Sequence, residues 1–201
     1  MIKPIWISAI ALLTFTSPLL AVTPAPIEPN ARVAWSEVIE DPFDGLIVHD
    51  RNFNPSNGST YVSTWSEDAI RLTYTWYEQR IIGYRTVWRE RTVYVQGTSR
   101  RESYPEQEPI YEREAYSRSP EKILFALNGE VYTYTGGPVS PELAAALIQV
   151  PLANTTIRLV WADGRTDDLI IGRGTVRAWR RIYQSRAAEE AENSQEFTLP
   201  E

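Results

Sequence analysis

Between Ile70 and Tyr77 the residues IRLTYTWY alternate, with even positions apolar or aromatic and odd positions mostly polar. Period two is the repeat of a strand that buries one face, and a helix does not share it. A second run, Tyr84 to Gln96, is rich in Thr, Val, Trp and Tyr, all of which suit a pleated strand. A turn over Gln79–Gly83 is expected to join the two as a hairpin. Further along, KILFAL and EVYTYTG flank Asn128-Gly129. Both central residues of a tight hairpin turn need positive φ, which Asn and Gly tolerate, so this pair predicts a second hairpin. Asp163-Gly164 separates TIRLVW from TDDLII in the same way. GLIVH at 45–49 lies between turn signals and reads as a buried strand, and 31–39 reads as a short strand with Val33, Trp35 and Ile39 on one parity.

Two segments carry helix signals. Ser140 can cap, Pro141 suits the first helical position, Glu142 follows in the first turn, and Pro151 ends the pattern. From Thr175, the spacing of Val176, Trp179, Ile182 and Tyr183 is that of an apolar helix stripe reaching to about Ala191. The chain is thus expected to be mainly β, at the margin of α+β. It should form an antiparallel sheet, as a sandwich or half-open barrel, with a short helix near 140–150 and a C-terminal helix near 175–190 packed on it.

The remaining segments divide the chain. Residues 1–21, MIKPIWISAIALLTFTSPLLA, join one Lys, an apolar run, a Ser-Pro break and a small residue. That order describes a secretory signal peptide cleaved after Ala21; the competing reading is a retained anchor. Residues 22–30, with three prolines, read as an extended leader without structure, and 31–183 as one domain. Within that domain, residues 98–120 hold four Arg, five Glu and three Pro, with only Ile110 and Ala115 as non-aromatic apolar residues. A stretch so poor in surface to bury is expected to stay a mobile charged insertion. Residues 184–201 form an acidic tail.

Composition removes several chemistries. There is no Cys and one His in 201 residues, so thiol nucleophiles, Cys-held zinc and Fe–S clusters are absent by count. The net charge of −6 speaks against a generally basic nucleic-acid binder. His49-Asp50 could serve as a base at a strand end, yet a lone His is usually a satisfied polar residue. Asp50, Asn52 and Asn54 fit the first alternate positions of a calcium loop, but Pro55 stands where that loop turns on Gly and Tyr61 where it needs Glu. Ile171-Gly172-Arg173-Gly174-Thr175 enters a helix as phosphate loops do, without their third Gly or Lys. No metal or other cofactor is expected.

The candidate binding residues are Arg85, Arg89 and Arg91, which share strand parity, with Tyr84 and Trp88 beside them. Guanidinium forks suit anionic groups and flat rings stack on sugars. The bland alternative is that Glu78, Glu90 or the acids from Glu102 onward neutralise the Arg strip. The expected function is a non-catalytic exported protein of the periplasm, lumen or cell envelope that binds a partner protein or an acidic glycan. The alternatives are a two-carboxylate glycoside hydrolase, or a structural subunit of an exported assembly.

Overall fold

A computed structural model describes residues 21–196, those from 185 onward as backbone only. The expected signal peptide falls almost wholly outside them. The described chain is mainly β, as expected: two open antiparallel sheets and two helices, with neither sheet closing into a barrel. The first sheet runs in chain order through β1 (Val38–Asp41), β2 (Gly45–Asn54), β3 (Ser59–Trp65), β4 (Ile70–Val95) and β5 (Thr98–Arg118). The second holds β6 (Lys122–Leu127), β7 (Glu130–Tyr134), β8 (Thr155–Val160) and β9 (Thr166–Ile171), in the order β7-β6-β8-β9. Helix α1 spans Pro141–Gln149 and α2 spans Arg173–Glu196.

Several local signals act as the sequence implies. Asn128 and Gly129 take φ of 52° and 88° in the β6–β7 turn. The Ser140 hydroxyl accepts the Leu143 N–H, capping α1. In α2, Val176, Trp179, Ile182 and Tyr183 are all buried, while Arg177 and Arg181 face solvent. Helix α2 also extends to Glu196, into the segment read as an acidic tail. The strand expected over 31–39 shrinks to β1, with Trp35 touching His49 only through an isolated bridge.

One core joins the sheets and helices. Trp65 of β3 meets Phe125 of β6 edge-on at 6.1 Å and Trp179 of α2 at 4.8 Å. The leader belongs to this core too: Val22 is buried, and the Leu72 N–H donates to the Thr23 carbonyl. Residues 22–30 form no helix or strand, and the leader docks through a carbonyl and one apolar side chain instead.

A polar lock fastens α2 to β2. Asp50, buried at 4% exposure, accepts the hydroxyls of Ser36 (3.0 Å) and Thr175 (2.8 Å) on Oδ1, and the Asn52 amide on Oδ2. These partners, together with the extended backbone of β2, give Asp50, Asn52 and Asn54 no calcium-loop geometry. The Gly172-Arg173-Gly174 run also finds its reason here. A Cβ on Gly174 would stand 2.9 Å from Ser36 Cβ, and Ser36 is itself held at φ 60°. Gly174 therefore permits close packing. Gly174→Ala is expected to destabilise by about 1–3 kcal/mol, since the overpacking outweighs any gain in helix propensity. A urea midpoint equal to the parent's would show that Ser36 can move aside.

Candidate functional site

The most distinctive feature is the length of β4 and β5. Strand β3 pairs β4 over Ile70–Thr75, and among the described residues β4 beyond that point pairs with β5 alone through to Val95. From Tyr77 onward the two strands form a ribbon that extends about 60 Å at ~3.3 Å per residue. Two expectations are corrected by it. Residues 79–83 do not turn: β4 passes through them with a register shift between Ile81 and Gly83. Residues 98–118 are not an unpaired insertion but the return strand. Composition misleads there because cross-strand hydrogen bonds and side-chain pairs order this segment without burying it.

The register sorts the ribbon into two unlike faces. On one lie Arg85, Arg89 and Arg91, opposite Glu108, Tyr104 and Glu102. Arg85 pairs with Glu108 at 2.9 Å, Arg89 with Glu106 and with Glu108 at 2.7 Å, and Arg91 with Glu102 at 3.5 Å. Hydrogen bonds from Arg100 first, and then Arg91, hold the Glu102 carboxyl below its ordinary value. Closer to the body this face continues with Arg80 beside Glu114. The strip of three Arg is present, but every member has an acid partner on β5.

On the other face lie Tyr84, Trp88 and Tyr94, opposite Pro109, Pro105 and Ser99. The structure thus divides the five candidate residues, since period two sends Tyr84 and Trp88 away from the three Arg. The bulge extends this separation toward the body. It adds one residue to β4 alone, so odd-numbered Tyr77 and Ile81 share a face with even-numbered Tyr84 and Trp88. Tyr84, Trp88 and Tyr94 are 63%, 70% and 80% exposed. Of the ten exposed large hydrophobic side chains that the arm carries between Tyr77 and Tyr116, six lie on this face: Tyr77, Ile81, Tyr84, Trp88, Tyr94 and Tyr111. Charges on this face are few and engaged: Arg101 lies 3.9 Å from Glu90, and Arg113 lies over the Tyr77 ring. One signal for this arrangement was available in the sequence. All five Glu of β5 (102, 106, 108, 112 and 114) are even-numbered, which is a strand pattern.

An aromatic clamp holds the root of the arm. Tyr61, Tyr74, Trp76 and Tyr116 stack in succession, with centroids 4.6, 5.4 and 5.7 Å apart. The Arg118 guanidinium sits 3.9 Å from the Trp161 ring and 3.5 Å from Asp163, tying the end of β5 to the second sheet. Burial, with Asp167 and Tyr74 nearby, pushes the Tyr61 hydroxyl up to about 12. Next to the root a groove of about 430 Å³ runs between the leader and the residues Thr73, Thr75, Tyr77 and Ala115.

Glu78 and Glu114 face each other across β4 and β5, with Glu78 lining a groove. Four surface grooves offer at most one carboxylate each: Glu28, Asp168, Glu78 and, in the fourth, none. Among the described residues no three His, Asp or Glu gather as metal ligands would. His49 is buried with Nδ1 2.9 Å from the Thr64 hydroxyl, on the opposite face of β2 from Asp50. Desolvation lowers its pKa, which nearby Asp41 only partly offsets. The neutral ring is therefore the form that folding favours. Stability from this residue is complete above its ordinary value of 6.5 and declines as pH falls below it, until the folded protein also takes up the proton. Melts between pH 7 and 5.5 should slope downward in the parent and less so in His49→Gln; equal slopes would refute this.

No protein-family model, no curated protein and no solved structure matches the chain.

Proposed function

We propose that this is a non-catalytic exported protein of the periplasm, lumen or envelope, whose body presents the β4–β5 arm as a docking element for a partner protein. The observation that carries this reading is the arm's exposed aromatic face. An isolated two-stranded ribbon is marginal in water, and aromatic rings left mostly exposed by their own chain are the common anchors of protein interfaces. Export rests on the order of charge, apolar run and break before Ala21, and Val22, the first residue after that point, is buried in the core. No described helix is long and apolar enough to cross a membrane. The ion pairs of Arg85, Arg89 and Arg91 favour a protein partner over an acidic glycan, because a glycan would have to displace Glu already in place.

The test is a photo-crosslinking residue placed singly at Tyr94, at Trp88 and at the exposed body position Ile170, in cells that export the chain. Adducts heavier than the chain from the two arm positions and none from Ile170 are expected. Adducts from Ile170 alone, or from no position, would overturn the reading.

A further inference from the structure

We infer that the partner for the aromatic face is the same face of a second copy, the two ribbons stacking antiparallel across a two-fold axis near Thr86; this rests on the docking reading above. Three observations converge on it. The first is charge. Residues 77–116 carry seven Arg and seven Glu, with no Lys or Asp, so the arm is neutral on a chain of net charge −6. Two bodies of like sign repel, and the arm is the place where copies approach without that penalty.

The second is the spacing of the anchors. Counted along the register, Tyr84 and Trp88 each lie two steps from Thr86, and Tyr77 and Tyr94 each lie eight, the bulge absorbing the extra residue. An isologous interface requires this kind of self-matching. Tyr84 of one copy then meets Trp88 of the other, and Tyr94 at one tip reaches Tyr77 and the groove of about 430 Å³ at the other root. On β5, Pro105 and Pro109 are likewise two steps either side of Gln107, the residue paired with Thr86.

The third is area. A ribbon face about 60 Å long and ~10 Å wide offers roughly 600 Å² per copy. Stacking two such faces removes about 1,200 Å² from water, above the ~1,000 Å² that a specific interface needs. The Arg/Glu face stays outward, with Val87, Val93 and Val95 lying between its exposed ion pairs.

The chain's lack of Cys makes the test clean. Sedimentation of the purified, leader-processed chain at tens of micromolar should give a dimer. Tyr84→Ser with Trp88→Ser should give a monomer that melts where the parent melts once diluted to monomer, since both side chains are exposed and the only stability lost is that of association. A short bismaleimide should join two copies of Thr86→Cys, which lies on the aromatic face, and should fail to join Val87→Cys on the opposite face. A parent that sediments as a monomer, or crosslinking that is equal at 86 and 87, overturns the inference. The photo-crosslinking experiment separates the two levels: arm adducts at twice the chain mass support the second copy, and arm adducts at another mass reject it while sparing the docking reading.

Discussion

Trp179→Ala is expected to cost about 3–5 kcal/mol in chemical denaturation, the range for removing a large aromatic side chain from a closed site. Trp179 is fully buried and packs its ring 4.8 Å from that of Trp65 in the first sheet. Its neighbours provide the contrast. Arg177 and Arg181 are exposed on the same helix and should tolerate Ala within about 0.5 kcal/mol. Among the described residues the indole N–H of Trp179 meets no acceptor, so Trp179→Phe, which keeps an aromatic ring and removes that donor, should cost less than half as much as Ala. Equal losses for Phe and Ala, or small losses at all three positions, would mean that α2 does not depend on this contact.

The second large effect belongs to Asp50, where Ala should cost about 2–4 kcal/mol. The substitution strips the acceptor from Ser36, Thr175 and Asn52 at once, and a buried donor left unpaired costs about 1–3 kcal/mol. Relief comes from within the cluster, because the Ser36 and Thr175 hydroxyl oxygens are already 3.1 Å apart and can pair with each other. Thr175→Val in the Asp50→Ala background should then cost less than Thr175→Val in the parent, because the hydroxyl has already lost its carboxylate acceptor and keeps only Ser36. Strict additivity of the two substitutions would show that the three groups do not act as a unit.

Elements whose determinants are local were legible in the sequence. Asn128-Gly129 specifies its own turn, Ser140-Pro141 starts its own helix, and the stripe through Trp179 needs only a single period to be recognised. The arm was not legible, for a physical reason that differs at each end. At 79–83 a bulge and a turn both interrupt alternation, and only the pairing of Tyr111 with Ile81 and Ile110 with Gly83 tells them apart. At 98–118 a rule that ties order to burial fails, since β5 is held by the opposite strand and touches no core along most of its length. Pro105 and Pro109 strengthened that misreading, although β5 is the outermost strand of its sheet, where proline is tolerated. The candidate site was half legible: the Arg strip was correctly placed on one parity, but its acid partners and the separate aromatic face required the register. The docking of Val22 carried no local signal at all.

The single bulged residue makes the arm's two surfaces depend on length in an unusual way. Ile82 is the residue that β4 has and β5 lacks, so deleting it would close the ladder and leave Ile81 with Tyr111, Gly83 with Ile110 and every pair out to the tip unchanged. Deleting a paired residue farther out, such as Thr86, would draw Ile82 into the ladder and turn over only the residues between the bulge and the cut. Adding a residue to β4 has no such reserve and demands a second bulge or a flipped surface. The arm therefore tolerates a change of length in one direction only: a homologue whose β4 is one residue shorter can keep both surfaces, and one whose β4 is one residue longer must change what it holds on to or bulge again.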